Sequence, residues 1–265
     1  MLCMKYILPL LFFTIFSQAW ALDEIIFSKK IPRADVRTLK NDFKVFENFF
    51  FYKQPKEQSL EVFGLPYFDN QELSYWLRQR IHYIVHPSTL SELDIRFALD
   101  DLIQVSSPQA MMSNLGTFLY LEGLKRGRSF ELTVKRGIFR KNHQVVITSP
   151  KAGVIQLEEG LLKRPSILSP VDKNSLVNSL DRMAILFHEA KHSEGVGPNA
   201  GHLHISCPQG HDYEGFYACD KNSQGAYGVG AQMLLEFIRN CDQCSLADIE
   251  RLKLRYLDSL NRIIN

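Results

Sequence analysis

Between Asp172 and Pro198 the sequence permits one local structure. Leu176, Leu180, Met183, Phe187 and Ala190 recur at steps of three and four and draw an apolar stripe down a long helix. Asp172 or Asn174 can cap its start, Gly195 and Gly197 stop it, and Pro198 forbids its continuation. Near the end of this stripe stands His188-Glu189-Ala190-Lys191-His192, an H-E-x-x-H pattern. Residues i and i+4 lie on one helix face about one turn apart, so two imidazoles can grip a single metal ion from the same side. Glu189 projects roughly 100° further round, from where its carboxylate can reach a water on that ion. Zinc lowers the pKa of such a water towards neutrality, and a neighbouring Glu can take its proton as the water attacks a carbonyl.

The start of the chain reads as an export signal. Lys5 is the only charge in the first twenty-one residues, Tyr6 to Phe16 is almost wholly apolar, and Ala19-Trp20-Ala21 closes the segment. That order predicts a secretory leader cleaved after Ala21, with a periplasmic or secreted mature chain beginning at Leu22. The apolar run is shorter than the roughly 20 residues a membrane span needs, so no stable span is expected after cleavage. Four cysteines then remain: Cys207, Cys219, Cys241 and Cys244. An even count in an exported chain favours disulfides, and nearness favours Cys207 with Cys219 and Cys241 with Cys244. A four-thiolate zinc site is the alternative, but Cys207 and Cys219 are too far apart to form its usual half. Lys plus Arg number 31 against 29 Asp plus Glu, and no basic run occurs, which argues against a nucleic-acid partner.

Residues 22–112 read as a mainly helical region. Val36, Leu39, Phe43, Phe46 and Phe50 form one helical stripe, and Pro55 lies beyond it. A second helix starts at Asp69, capped with Glu72, and carries Leu73, Trp76, Leu77, Ile81 and Ile84 up to Pro87. A third, short helix is expected over Leu90 to Gln104. After Ser113 the pattern changes: Thr117–Leu121, Phe130–Lys135, Gln144–Thr148 and Gly153–Leu157 are short β-prone runs between turn formers, read as a sheet of about four strands. Residues 196–230 read as a long loop, a length often functional in a compact domain. Ala231–Asn240 and Leu246–Ile264 close the chain as two helices.

The stretch His188-Glu189-Ala190-Lys191-His192-Ser193-Glu194-Gly195 resembles the opening of the metzincin motif, and the order of sheet, helix and downstream loop resembles the zincin clan of metallopeptidases over roughly residues 113–240. Pro198 stands where metzincins carry their third histidine. The resemblance implies an α+β, zincin-like fold, with a small twisted sheet leading into an active-site helix and a catalytic domain over 113–265. It also implies one catalytic zinc with three protein ligands and a position for water. His188 and His192 supply two ligands. The third is sought among His202, His204, His211, Asp212, Glu214, Asp220 and Glu236. His204 leads, because it follows the glycine-rich turn Gly195 to Gly201 and precedes Cys207, which a bridge to Cys219 would pin. His202 faces the opposite way in an extended segment. His211 lies inside the loop that bridge closes. Glu214 or Glu236 would follow the gluzincin plan, and Asp220, ahead of Tyr227-Gly228, the aspzincin plan. Tyr213, Tyr217 and Tyr227 share the loop, where a hydroxyl can donate to an oxyanion.

These readings converge on an exported zinc-dependent peptidase with Glu189 as general base and a peptide or protein, such as a cell-wall peptide, as substrate. The alternative is a catalytically inactive zincin-like protein that keeps the metal, or an envelope-associated binding module.

Overall fold

A computed structural model of the chain describes residues 25–27, 31–81, 83–85, 93–97, 109–113, 116–120, 129–136, 141–148, 154–156, 161, 172, 174–192 and 204–264. The expected leader, the expected cleavage point after Ala21 and the segment holding Gly195, Pro198 and His202 lie outside these residues.

The N-terminal helices form as their apolar spacing demands. Helix α1 spans Arg33–Glu47 and buries Leu39 and Phe46, with Val36 and Phe43 packed beside them. Phe50, the last residue of the expected stripe, lies beyond the helix end and is 74% exposed. The Asn70 side-chain amide donates to the Phe46 and Glu47 carbonyls at 2.9 and 3.0 Å, closing the open end of α1. Helix α2 covers Glu57–Phe63 and ends at Gly64, whose φ of 63° suits a residue without Cβ. Helix α3 runs over Asn70–Arg78, and its cap Asp69 accepts from the Glu72 N–H at 2.9 Å.

Two expectations are corrected here. Helix α3 stops at Arg78; Ile81 and Ile84 are buried, but Ile84 belongs to strand β2, Tyr83–Val85. The short helix expected over Leu90 to Gln104 is replaced by strand β3, Leu93–Phe97. Leu93, Ile95 and Phe97 alternate with Asp94 and Arg96, a two-residue period that outweighs the helical spacing.

The expected strands exist but do not share one sheet. Strand β1, Ile26–Phe27, pairs in parallel with β2, which pairs in parallel with β8, Val154–Gln156. Strand β6, Ser129–Arg136, lies antiparallel between β3 and β7, Lys141–Thr148. Strands β4, Gln109–Ser113, and β5, Gly116–Tyr120, form a separate antiparallel hairpin. Short β-prone runs carry no record of their partner, and the mate of β8 lies far upstream. The architecture is mixed α+β.

From β8 the chain leads to helix α4, Leu176–His192, the most buried of the long helices. Asp172 stands ahead of it and accepts from the Asn174 N–H at 2.8 Å. Helix α5, Ala226–Asn240, and helix α6, Leu246–Asn261, follow. The expected start of α5 at Ala231 is five residues late, because residues up to 230, Gly228 and Gly230 among them, fell within the expected long loop. These two glycines serve proximity instead. A Cβ on Gly228 would fall 1.7 Å from the Ser223 carbonyl oxygen, and one on Gly230 would lie 3.3 Å from the His188 Cβ. The missing side chain at Gly230 lets α5 approach α4 closely, and that at Gly228 makes room for the turn that leads into α5.

One core joins α1, α2 and α3 to α4 and α5. Phe187 of α4 packs edge-on against Phe46 at 5.3 Å and Phe63 at 5.7 Å between ring centres. Within it sits a buried ion pair: Arg182 of α4 donates to both Asp42 oxygens of α1, at 2.6 and 2.7 Å. Among the described residues no helix is long and apolar enough to cross a membrane. Asp42→Ala strands the buried guanidinium, so it should cost about 3–5 kcal/mol in urea unfolding. Asp42→Leu with Arg182→Met should cost far less; an equal loss in both proteins would show that the pair is not the cause.

Candidate metal centre

Helix α4 carries His188 and His192 one turn apart on the face turned to α5 and the following hairpin. Their ring centres lie 5.1 Å apart. His204 enters from the other side, immediately before strand β9, Ile205–Ser206. Its ring centre is 5.1 Å from that of His188 and 4.6 Å from that of His192. One nitrogen from each of the three rings lies within 4.8 Å of the other two, close enough for all three to hold one metal ion. The Nε2 atoms of His188 and His204 are 3.2 Å apart. Two ligands bound at zinc–nitrogen distances of roughly 2.0–2.1 Å in a tetrahedral shell would be about 3.3 Å apart.

The other ring nitrogens fix which atoms face inward. His204 Nδ1 donates to the Asp220 carboxylate at 2.7 Å. The His188 imidazole donates to the backbone carbonyl of Ala226, on the α5 side. With His204 Nδ1 committed to Asp220, the Nε2 atoms of His188 and His204 face each other at 3.2 Å, where the two lone pairs can share one cation. Burial, followed by the neighbouring His192 and His204, holds the His188 pKa well below its ordinary value. A neutral imidazole is the form that ligates. The donor set thus fits a divalent metal of the zinc type.

Glu189 lies where the motif predicts. Its Oε1 is 3.6 Å from His188 Nε2 and its Oε2 is 3.9 Å from His192 Nε2, with its side chain about 10% exposed. Burial, reinforced by the charge on Asp220, pushes its carboxyl well above the usual range.

The segment that brings in His204 is held by a covalent staple. Strand β9 pairs antiparallel with β10, Tyr217–Cys219, and Cys207 is bonded to Cys219. The bond therefore ties the residue three places after His204 to the residue just before Asp220. The second disulfide joins Cys241 to Cys244 at the end of α5. Both pairings are those expected, and with the sulfurs so paired the four-thiolate zinc site is excluded. Two disulfides fit an oxidising compartment outside the cytoplasm.

Among the described residues, the remaining candidates for the third position are engaged elsewhere, while His202 lies outside them. Asp220 is buried, but one oxygen accepts from His204 and the other from the Tyr227 N–H at 2.6 Å. It orients the His204 ring, in the manner of the carboxylates that commonly back metal-binding histidines. His211 Nε2 donates to the Asn261 carbonyl at 2.7 Å, while its Nδ1 accepts from the Tyr213 N–H at 3.0 Å. Glu214 accepts from the Gly210 N–H on an exposed turn, and Asp212 accepts from Asn261. Glu236 is fully buried on α5, bonded to Ser59, the Lys56 N–H and Arg239, and fastens α2 to α5.

Of the three loop tyrosines, Tyr227 alone reaches the cluster. Its ring stacks on His204 at 4.5 Å and 27°, and meets His188 edge-on at 4.6 Å. Tyr213 turns to Asp258, and Tyr217 is 75% exposed. Arg262, which the sequence reading did not single out, donates to the Tyr227 hydroxyl oxygen at 2.7 Å. Nothing local marks it; only the fold brings it back to the hairpin.

Compared with protein-family models, curated proteins and solved structures, the chain matches none. The site's own geometry is what assigns it a role.

That geometry orders the variants. His204→Ala should lose zinc in a chelator competition at fixed pH about as readily as His188→Ala. Asp220→Ala should weaken binding about 10 to 100-fold, as loss of an orienting partner typically does. His211→Ala should retain an intact primary ligand set and lose least. Full affinity in His204→Ala would contradict the arrangement.

Proposed function

We propose that this chain is a zinc-dependent peptidase exported to the periplasm or the exterior, with a zincin-like arrangement around helix α4. The observation that carries the proposal is the convergence of His204 on the two histidines of an H-E-x-x-H helix, with Glu189 at the edge of the group. Three imidazoles with a carboxylate beside them form a catalytic rather than a structural donor set, because structural zinc sites are closed by four protein ligands.

His188, His192 and His204 would hold the ion. When bound, zinc supplies Lewis acidity and brings a water into the range where it ionises near neutral pH. Glu189 takes the proton of the attacking water and returns it to the leaving amine. Its poor solvation keeps competing water away from that carboxylate. Asp220 and the Ala226 carbonyl hold the His204 and His188 rings in the tautomer that presents Nε2 inward. The substrate is a peptide or protein, with a cell-wall peptide as one candidate class. The leader ending at Ala21 and the two disulfides support export.

The intact Glu189 favours turnover over metal storage, since holding the ion does not need a carboxylate at that place. Glu189→Gln preserves the size and the neighbouring ligands while removing the base. It should keep stoichiometric zinc by elemental analysis and lose about 10²–10⁴-fold in kcat on a peptide library digest read by mass spectrometry. Unchanged hydrolysis in that variant, or purified wild-type protein without zinc, would end the peptidase reading. Zinc binding without hydrolysis in the wild type would support the inactive metal-binding alternative.

A further inference from the structure

His204 is the ligand that helix α4 does not supply, so something else must hold it. Its edge is fixed by Asp220 and its face by the Tyr227 ring. One residue reaches both of these supports. The Arg262 backbone carbonyl accepts from the Asp220 N–H at 2.8 Å, and two residues on the Ile264 N–H donates to the Asp220 carbonyl at 2.9 Å. The Arg262 side chain donates to the Tyr227 hydroxyl oxygen at 2.7 Å. Arg262 is itself held firmly. Its guanidinium carbon lies 3.7 Å from the centre of the Tyr213 ring, and its Nη2 is 3.3 Å from Asp258. A planar, permanently charged group stacked on one tyrosine and bonded to another is well suited to set an angle between them.

We propose that Arg262 is a positioning residue for the third metal ligand, acting through the Tyr227 hydroxyl to hold the ring on which His204 stacks. The proposal rests on the reading of His188, His192 and His204 as a metal centre. The influence of Arg262 on His204 passes through Tyr227 and, by its backbone, through Asp220. The backbone pairing survives a side-chain substitution, so the side-chain route can be tested separately.

The experiment uses the full mature chain with zinc in chelator competition and cobalt(II) as a visible-light probe of ligand geometry. Arg262→Met keeps the aliphatic stem and removes every donor. It should weaken zinc binding about 10 to 100-fold, the range typical of lost outer partners, and alter the cobalt absorption. Arg262→Lys, which retains one donor, should recover part of both. Tyr227→Phe removes only the hydroxyl and should reproduce the loss. Adding Arg262→Met to Tyr227→Phe should then change little further, because the route is already cut. A merely structural role would instead lower the melting temperature of the metal-free protein and give additive effects in the double variant. Wild-type affinity and cobalt spectrum in a folded Arg262→Met protein would overturn the proposal. Should Arg262→Met fail to fold, unchanged zinc affinity in Tyr227→Phe would overturn it equally. Failure of wild-type protein to bind zinc would refute the metal centre itself, a distinguishable result.

Discussion

The buried carboxylate of Asp220 is the constraint around which the downstream half of the site is arranged. A carboxylate removed from water is costly unless donors surround it. Here His204 Nδ1 and the Tyr227 N–H supply them, and both Asp220 backbone groups pair with the segment after α6. Gly225 makes room, since a Cβ there would come 2.3 Å from the Asp220 carboxylate oxygen. The hairpin, the first turn of α5 and the segment following α6 are therefore registered against one side chain.

The three imidazoles are positioned by two different means. His188 and His192 are carried by a helix whose apolar stripe is locked into the common core, with Arg182 and Asp181 of α4 tied to Asp42 of α1 and Arg255 of α6. Their spacing follows from helical geometry alone. His204 is carried by a two-stranded hairpin, and such a hairpin is marginally stable by itself. The Cys207–Cys219 bond compensates, and closing a loop of this order is worth about 3 kcal/mol in the chain-entropy account. Asp220, Tyr227 and Arg262 then set the ring. Reduction of this disulfide should consequently disturb the site far more than reduction of Cys241–Cys244, which ties only the end of α5.

What was legible in the sequence follows the range of each interaction. The helix bearing His188 and His192 was readable because its period and the motif lie within one local segment. Both disulfides were readable from proximity along the chain. His204 emerged from its closeness to Cys207. Tertiary placement was much less legible. The strand Leu93–Phe97 was mistaken for a helix because alternation and helical spacing overlap over so few residues. The β2–β8 pairing left no local trace. Residues 226–230 were read as the end of a long loop, although Gly230 serves a close helix contact and Gly228 a close approach to the Ser223 carbonyl. Asp220 was noticed as a possible ligand, yet its role as the partner of His204 depends on which atoms face it. Arg262 was missed because a single arginine after a surface helix carries no signal until the fold brings Tyr227 to it.

The placement of the acids also bears on the chemistry proposed for the site. Glu214 and Glu236 are spent on a turn and on the α2–α5 contact, and both Asp220 oxygens already have partners. Among the described residues the donors that remain are the three imidazoles of His188, His192 and His204. Such a set leaves the full charge of a divalent ion uncompensated by its ligands, whereas a set with two histidines and one carboxylate cancels part of it. An ion so held is the stronger Lewis acid and acidifies its water more. Among the described residues the acids beside the cluster are Glu189, the base of the proposed reaction, and Asp220, one imidazole removed. Asp220 shares its charge with His204 through the Nδ1 hydrogen bond and so strengthens that ring as a donor without occupying the metal's coordination shell. The division of labour is consistent with the positions of the acids: one beside the place of reaction, one behind a ligand, and the others in the scaffold.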